Sequence, residues 1–158
     1  VGSEMCIRDS QAIDVNLTGV FLCCQTIGKQ MLKQKTGNII NIASTYGLVG
    51  PDQRIYGKSG QNSAAFYAAT KSAIVNLTRY LAAYWQKTGI RVNTLSPGGV
   101  QNNQDQNFQK KYSEKTMIGR MAKKDEYVGP LLYLASDASS YMTGSNLIVD
   151  GGWTASVS

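Results

Sequence analysis

Three short apolar runs are separated along this chain by longer segments with helical periodicity. The runs are predicted strands at residues 38–43, 90–95 and 146–149. Apolar residues recur every three or four positions at about residues 11–35, 64–87, 107–116 and 124–136. Because continuous apolar strands that alternate with helices are typical of parallel sheets, the sequence predicts an α/β fold.

Tyr67 and Lys71 lie four residues apart in the longest predicted helix, so their side chains are expected on one helix face. A phenol is a poor base at neutral pH, and a neighbouring ammonium favours the phenolate. The pair is therefore a candidate proton-transfer device for a substrate hydroxyl or carbonyl. The same spacing also fits a half-exposed helix face with a snorkelling lysine. The buried stripe of this helix is predicted to carry Ala73, Leu77, Leu81 and Tyr84.

Composition excludes several classes of protein. The 158 residues are 42% hydrophobic and 16% charged, as expected for one globular core, and no apolar stretch approaches a membrane span. The chain has no histidine, which excludes a Ser-His-Asp or Cys-His hydrolase and histidine-bound metals. Cys6, Cys23 and Cys24 lack a metal-ligand spacing, so we expect no metal site.

The charge of +6 comes from lysines and arginines spread along the chain, with no basic run that interleaves with aromatic residues. A solvated basic surface explains this pattern better than a nucleic-acid partner. The cysteines are expected to be small buried hydrophobes in a reducing compartment, and no secretory signal is recognisable. The sequence thus predicts a cytoplasmic protein that binds neither nucleic acid nor a membrane.

Five motifs that cover residues 12–153 occur in the order known from the short-chain dehydrogenase/reductase family. They are Asp14-Val-Asn-Leu-Thr-Gly-Val-Phe21, the strand ending in Ser44, Tyr67-Ala-Ala-Thr-Lys71, Arg91-Val-Asn-Thr-Leu-Ser-Pro-Gly98, and Asp150-Gly-Gly-Trp153. The chain resembles the C-terminal part of such an enzyme. This resemblance implies a Rossmann-type doubly wound parallel sheet that binds NAD or NADP beyond the carboxyl ends of its strands.

The resemblance also implies roles for individual residues. Tyr67 would be the general acid or base, and Lys71 would favour its phenolate and bind nicotinamide ribose hydroxyls. Ser44 would hydrogen-bond the substrate oxygen, and Asn16 would hold a water that connects Lys71 to solvent. The loop that contacts the nicotinamide carboxamide would contain Pro97, Gly98 and Val100. Asn102 stands where the family often has threonine, and it is a candidate substrate contact.

The glycine-rich turn that holds a dinucleotide pyrophosphate at a helix N-terminus is not found in this sequence. The residue that would select NAD or NADP is also not recognisable. We therefore expect a truncated gene product that lacks the first strands of the domain. In this interpretation residues 11–158 are the C-terminal portion of one Rossmann-type domain, and residues 1–10 are a leader of doubtful origin.

The interval of 23 residues between Ser44 and Tyr67 is longer than the family's common form. The extra residues, 50–60, either form part of a substrate pocket or are a solvated surface loop. Arg54, Lys58 and Tyr56 are candidates to bind a phosphate or to stack on a sugar, and Tyr46 and Arg54 are candidate substrate contacts. This insertion resembles the family branch linked to flagellin-glycan and surface-polysaccharide pathways, which implies a sugar, sugar phosphate or sugar nucleotide as substrate.

The predicted function is NAD(P)-dependent interconversion of a secondary alcohol and a ketone in a small molecule. Two alternatives stay open: an inactive fragment that retains only assembly surfaces, and an epimerase or dehydratase of the extended family. The resemblance further implies a homo-oligomer, a dimer or a tetramer. Its contacts would involve the helices that carry Asn16 and Tyr67, and a C-terminal segment with Met142, Leu147 and Trp153.

Overall fold

The computed structural model describes residues 9–155, and in this range three strands form one parallel sheet. The strands β1 (Gly37–Ile42), β2 (Ile90–Pro97) and β3 (Asn146–Val149) are ordered β1-β2-β3. The helices are α1 (Gly19–Gln34), α2 (Ala65–Tyr84), α3 (Gln106–Lys115) and α4 (Val128–Ala135). The predicted parallel α/β architecture is confirmed, and each element lies close to its expected position.

The strand register brings the carboxyl ends of all three strands to one edge of the sheet. Ile42 lies opposite Leu95, and Pro97 lies opposite Val149. The residues that follow β1 and β2 therefore leave the sheet side by side. In parallel α/β sheets this edge is where ligands bind.

Helices cover both faces of the sheet, as a doubly wound fold requires. Alternate residues of β1 point to opposite faces. Asn41 donates from its side-chain amide to the Thr78 hydroxyl on α2 at 2.9 Å. Asn38, on the other face, donates to the backbone carbonyl of Leu134 on α4 at 2.8 Å.

Apolar side chains of α1, α2 and β2 form the main core. Cys24, Leu81, Trp85 and Val92 are among its buried members. Gly28 on α1 permits this packing, because a Cβ at that position would lie 2.3 Å from the indole ring of Trp85. Close approach of the two helices therefore depends on the missing side chain.

The predicted buried stripe of α2 is only partly correct. Leu81 is buried, but Tyr84 is 68% exposed. The buried face instead includes Thr70 and Thr78. Thr78 is accommodated because its hydroxyl accepts from Asn41 and also bonds the Thr94 hydroxyl at 2.8 Å. Buried polar groups of this kind are tolerated when they are paired.

Two further expectations concern the ends of the chain. Residues 1–8, most of the expected leader, lie outside the described residues, and the chain is helical from residue 9. Trp153 was expected at a subunit interface. It is instead only 6% exposed and stacks on Tyr112 with ring centroids 4.3 Å apart. Among the described residues, no helix is long and apolar enough to cross a membrane.

Candidate active site

Ser44 lies just beyond β1, where the chain turns into a 3₁₀ turn, Thr45–Gly47. Its backbone is extended, and its Oγ accepts a hydrogen bond from the Tyr46 N–H at 3.2 Å. A hydroxyl is both donor and acceptor. Because the backbone N–H uses an acceptor site on Oγ, the Ser44 O–H is left to donate to a ligand.

Gly47 fixes this turn against α2. A Cβ at Gly47 would lie 2.7 Å from the backbone carbonyl carbon and oxygen of Lys71. The Ser72 hydroxyl also donates to the Gly47 carbonyl at 2.8 Å. The turn that carries Ser44 and the helix that carries Tyr67 are thereby held in direct contact.

Lys71 lies one turn beyond Tyr67 on α2. Its Nζ is 5.8 Å from the centroid of the Tyr67 ring and donates to the Ile42 carbonyl at the end of β1 at 3.0 Å. Burial lowers the pKa of the Lys71 ammonium. One N–H of the ammonium is thus held by β1, and two remain for other acceptors.

Asn16 lies in a π-helical segment, Asp14–Thr18, directly before α1. Such segments are rare and occur often at functional sites. The segment packs against α2. Its neighbour Val15 and the Lys71 side chain line the same cavity beside β1.

The loop after β2 is held by side chains of the surrounding elements. The Gly98 N–H donates to the Val149 carbonyl at 2.9 Å, and the Gly98 carbonyl accepts from the Tyr127 hydroxyl at 3.1 Å. The Gly99 N–H donates to the Tyr112 phenol oxygen at 2.5 Å. A Cβ at Gly99 would also lie 2.6 Å from the Tyr112 ring, so only glycine fits there.

These elements converge on one small cavity of about 210 Å³. Ser44 and Tyr67 both line it, together with Tyr46 and Gly98. The structure therefore brings the predicted hydroxyl and the predicted phenol to the same space. Lys71 lines a second cavity beside β1, and its Nζ lies 5.8 Å from the centroid of the Tyr67 ring.

The insertion before α2 is anchored and is not a freely solvated loop. Ile55 is only 2% exposed and packs in an aromatic cluster with Tyr112, Met121 and Trp153. Full burial of such a side chain contributes about 1.5–3 kcal/mol. Because Ile55 is buried, the adjacent Tyr56 is fixed in the wall of the active-site cavity.

Tyr46 packs at the edge of the same aromatic cluster. Its ring meets Trp153 in a T-shaped contact, with centroids 6.2 Å apart. Burial raises the pKa of the Tyr46 phenol, with a further contribution from nearby Tyr56. The phenol is therefore neutral, so it is able both to donate and to accept a hydrogen bond.

The candidate phosphate ligand Arg54 is engaged elsewhere. Its guanidinium donates to both carboxylate oxygens of Asp52 at 2.8 Å, and its side chain is 78% exposed. Lys115 on α3 binds the same carboxylate at 2.8 Å. Arg54 is not among the residues that line the Ser44–Tyr67 cavity. The Arg54 charge is therefore paired within the insertion, and the Lys115 contact attaches the insertion to α3.

We predict that Asp52→Asn weakens this attachment at neutral pH. The Arg54 and Lys115 contacts hold the pKa of the Asp52 carboxyl well below its usual range. The stabilisation is therefore complete at pH values above about 4, the pKa of this carboxyl in the unfolded protein. It is lost progressively as the pH falls toward the lower pKa of Asp52 in the folded protein. Thermal melts should show the variant less stable by roughly 1–3 °C at pH 7, with a smaller difference near pH 3.

The control is Asp125→Asn, which removes an exposed carboxylate outside this network. Asparagine keeps the turn-capping acceptor that Asp52 offers to the Arg54 N–H. An equal deficit for Asp52→Asn at pH 3 and pH 7 would show that the ion pairs do not stabilise the insertion.

Sequence reasoning missed several residues around the cavity. Phe108 and Tyr112 on α3 line it together with Gln104 and Met121. The spacing of Phe108 and Tyr112 places them on one helix face, a signal that was available. What the sequence did not reveal is that this face meets the insertion. Asn102 lies in an adjoining groove and not in the cavity itself.

The donor groups present fit the nicotinamide ribose end of a dinucleotide. Lys71 has two N–H donors left for ribose hydroxyls. Within residues 9–155 the Val100 N–H has no hydrogen-bond partner, whereas the Val100 carbonyl accepts from Gln104 at 2.8 Å. That free N–H is suited to an amide oxygen. Gly98 contributes close packing, because its own N–H and carbonyl are already paired.

Known proteins share this architecture and the order of its motifs. A family model described as Enoyl-(Acyl carrier protein) reductase matches residues 9–154. A sorbose reductase of Candida albicans is 37% identical over 146 residues, which are 90% of this chain and 49% of that protein. Post-translational flagellin modification protein A of Campylobacter coli is 36% identical over 90% of this chain and 56% of its own length.

Solved structures of dehydrogenases also superpose on this chain. A short-chain dehydrogenase from Leptospira borgpetersenii with bound NAD+ superposes with a TM-score of 0.86 and 41% identity, over 92% of this chain and 56% of the other. A gluconate 5-dehydrogenase from Burkholderia cenocepacia, in complex with NADP and tartrate, gives a TM-score of 0.84 and 33% identity, over 95% and 57% of the two chains.

The chain belongs to the short-chain dehydrogenase/reductase family, as the resemblance predicted. The chain has the Rossmann-type fold of this family, and the Ser44–Tyr67 cavity lies within that fold. The chain spans about half the length of the curated relatives it matches. NAD(P) binding is a property of this family, since members have been crystallised with NAD+ and with NADP.

Proposed function

We propose that the intact protein containing this chain is an NAD(P)-dependent oxidoreductase that interconverts a secondary alcohol and a ketone in a sugar or polyol. The observation that carries this proposal is the shared cavity of Ser44 and Tyr67, one turn from the Lys71 ammonium. A hydroxyl donor and a proton-exchanging phenol in one space are what carbonyl reduction requires.

Ser44 holds the substrate oxygen. Its Oγ accepts from the Tyr46 N–H, so its own proton is directed to the carbonyl or alcohol oxygen of the substrate. A hydrogen bond to this oxygen polarises the carbonyl and fixes its position relative to Tyr67. The contact of Gly47 with Lys71 maintains this position, because it locks the Ser44 turn onto α2.

Tyr67 exchanges the proton. It donates its phenolic proton to the substrate oxygen during reduction and removes it during oxidation. Lys71 stabilises the phenolate that forms, since its positive charge lies over the Tyr67 ring. Asn16, in the π-helical segment that packs against α2, holds a water that connects Lys71 to solvent and so replaces the proton.

When bound, NAD or NADP would exchange a hydride with the substrate carbon that bears the oxygen held by Ser44. Lys71 would bind its ribose hydroxyls through the two N–H groups that Ile42 does not use. The Val100 N–H would donate to its carboxamide, and Pro97 and Gly98 would pack against it at the end of β2.

The substrate class rests on the relatives and on the cavity. Sorbose reductase and D-threitol dehydrogenase, 35% identical over 96% of this chain, are named for a sugar and a polyol. Hydroxyl and amide groups from Tyr46, Tyr56 and Gln104 surround the cavity and suit a hydroxylated ligand. The likeness to a flagellin modification protein supports a role in building surface glycans.

The test is a pair of measurements on the intact protein. NADH and NADPH are first titrated by fluorescence, and polyols and ketoses of four to six carbons are then assayed for a change in absorbance of the reduced cofactor. We expect saturable binding of one cofactor and turnover of at least one polyol–ketose pair. Isomerised sugar without a net change in cofactor would support an epimerase instead.

A second candidate is an assembly role without catalysis for the 158-residue chain by itself, because this chain spans only half of its relatives. Absence of cofactor binding by the chain, with binding by the intact protein, would support it. The homo-oligomeric state and the cytoplasmic location stay predictions, and the exposed aromatic rings of Tyr80 and Tyr84 on α2 are suited to a contact with a second copy.

A further inference from the structure

We propose that a groove beside the active-site cavity binds the uncharged, hydroxyl-rich end of the substrate and disfavours phosphorylated or carboxylated substrates. The inference rests on the proposed function and narrows it, because it selects free sugars and polyols over sugar phosphates and sugar acids. Two segments build the groove: the insertion before α2 and the loop between β2 and α3.

The groove adjoins the cavity that Ser44 and Tyr67 line. It encloses about 510 Å³ and is lined from the insertion by Tyr56, Ser59 and Gln61. Residues 102–105 and Phe108 form its other wall. It shares Tyr56, Gln104 and Phe108 with the Ser44–Tyr67 cavity. A substrate whose reacting carbon lies at Tyr67 therefore extends its remaining carbons into this groove.

The lining chemistry matches a polyhydroxylated chain. Tyr56 and Phe108 lie with ring centroids 5.4 Å apart and offer faces for the C–H side of a sugar. The side-chain amides of Gln61, Asn102 and Asn103 make no hydrogen bond to any residue in the described range 9–155, so they are available to hydroxyl groups. Each amide both donates and accepts, as a hydroxyl does.

The groove offers no favourable charge to an anion. Its one acidic or basic lining residue is Asp105, which is negative. The Asp105 carboxylate accepts from the N–H groups of Asn107 and Phe108 at 3.0 and 3.1 Å, so it also occupies the N-terminus of α3. A phosphate placed there would meet a carboxylate in place of free N–H donors.

The nearby cations are used to attach the insertion. Arg54 and Lys115 share the Asp52 carboxylate, and the Lys111 ammonium donates to the Arg54 carbonyl at 3.4 Å. Lys58, the remaining cation of the insertion, is not among the residues that line the groove. Neither Arg54 nor Lys58, the two cations that the sequence suggested for phosphate binding, lines the groove or the Ser44–Tyr67 cavity.

The experiment compares kcat/KM of the intact protein for one carbon skeleton in three forms: a hexitol, its 6-phosphate and the corresponding aldonate. We expect the neutral compound to be preferred by at least about tenfold, chiefly through KM. Asp105→Asn retains the helix cap and should raise the anionic-to-neutral ratio of kcat/KM about threefold or more. Asp125→Asn, which removes a carboxylate outside the groove, should leave that ratio unchanged.

A second pair of variants tests the amide contacts. Asn103→Leu should raise KM for the neutral hexitol about 2- to 10-fold with kcat retained, since one hydrogen bond is lost. Asn76→Leu, at an exposed position on α2 outside the groove, is the matched control. Turnover with a preference for the phosphate or aldonate would overturn this inference alone. If none of the three compounds were turned over but another alcohol were oxidised, the groove inference would also be overturned. The oxidoreductase proposal would then still stand.

Discussion

Replacement of Tyr67 by phenylalanine is expected to abolish turnover while cofactor binding is retained. The variant removes only the phenolic O–H, so the packing of α2 and the Gly47 contact remain. Loss of a positioned general acid or base lowers rate by about 10²- to 10⁴-fold. Stopped-flow measurement of the hydride step in the intact protein, with fluorescence titration of the cofactor, separates chemistry from binding.

Tyr84→Phe is the matched control for this experiment. Tyr84 lies on the same helix, but it is 68% exposed and stacks on Tyr80 at 5.9 Å. Removal of its hydroxyl should leave kcat within about twofold of the original. Normal turnover by Tyr67→Phe would remove Tyr67 from the mechanism, and with it the interpretation of the shared cavity.

The second large effect is expected from Lys71→Met, which should damage cofactor affinity and turnover together. Methionine preserves most of the aliphatic stem but removes the charge and its N–H donors. Hydrogen bonds from a charged group contribute about 1.5–3 kcal/mol, which corresponds to about 10- to 100-fold in affinity. Titration of the cofactor and steady-state kinetics of the intact protein measure the two losses separately.

Lys29→Met provides the control, because Lys29 is an exposed lysine of α1 that faces a different cavity. Its substitution changes the net charge by the same amount and should alter neither quantity. If Lys71→Met lost turnover with unchanged cofactor affinity, the ribose contact would be wrong and only an effect on Tyr67 would remain.

The secondary structure could be predicted from the sequence because apolar periodicity is a local property of the chain. The predicted strand at residues 146–149 and the predicted helix at 107–116 differ from β3 and α3 by at most one residue. Tyr84 shows where this reasoning failed. A helix stripe identifies apolar positions, but a buried threonine such as Thr78 becomes acceptable only when Asn41 and Thr94 arrive from two strands to pair with its hydroxyl.

In the candidate site, too, some positions follow from local sequence spacing and others depend on tertiary packing. The four-residue spacing of Tyr67 and Lys71 by itself places the ammonium near the ring, because one helical turn fixes that distance. Arg54 shows the opposite case. Its charge suggested a phosphate ligand, but the guanidinium pairs with Asp52, two residues earlier in the chain. That Lys115 of α3 binds the same carboxylate depends on tertiary packing and could not be read from the sequence.

The amino-acid sequence alone determined the parallel α/β class, the family and the spacing of the proton-transfer pair. Each of these depends on local patterns of residues that are near one another in the chain. Only the tertiary structure decided that Ile55 is buried against Trp153, that the insertion and α3 share one aromatic cluster, and that an amide-lined groove adjoins Tyr67. Those contacts join residues about 50 to 100 positions apart. They are set by how the elements pack, because no local pattern encodes which distant side chains meet.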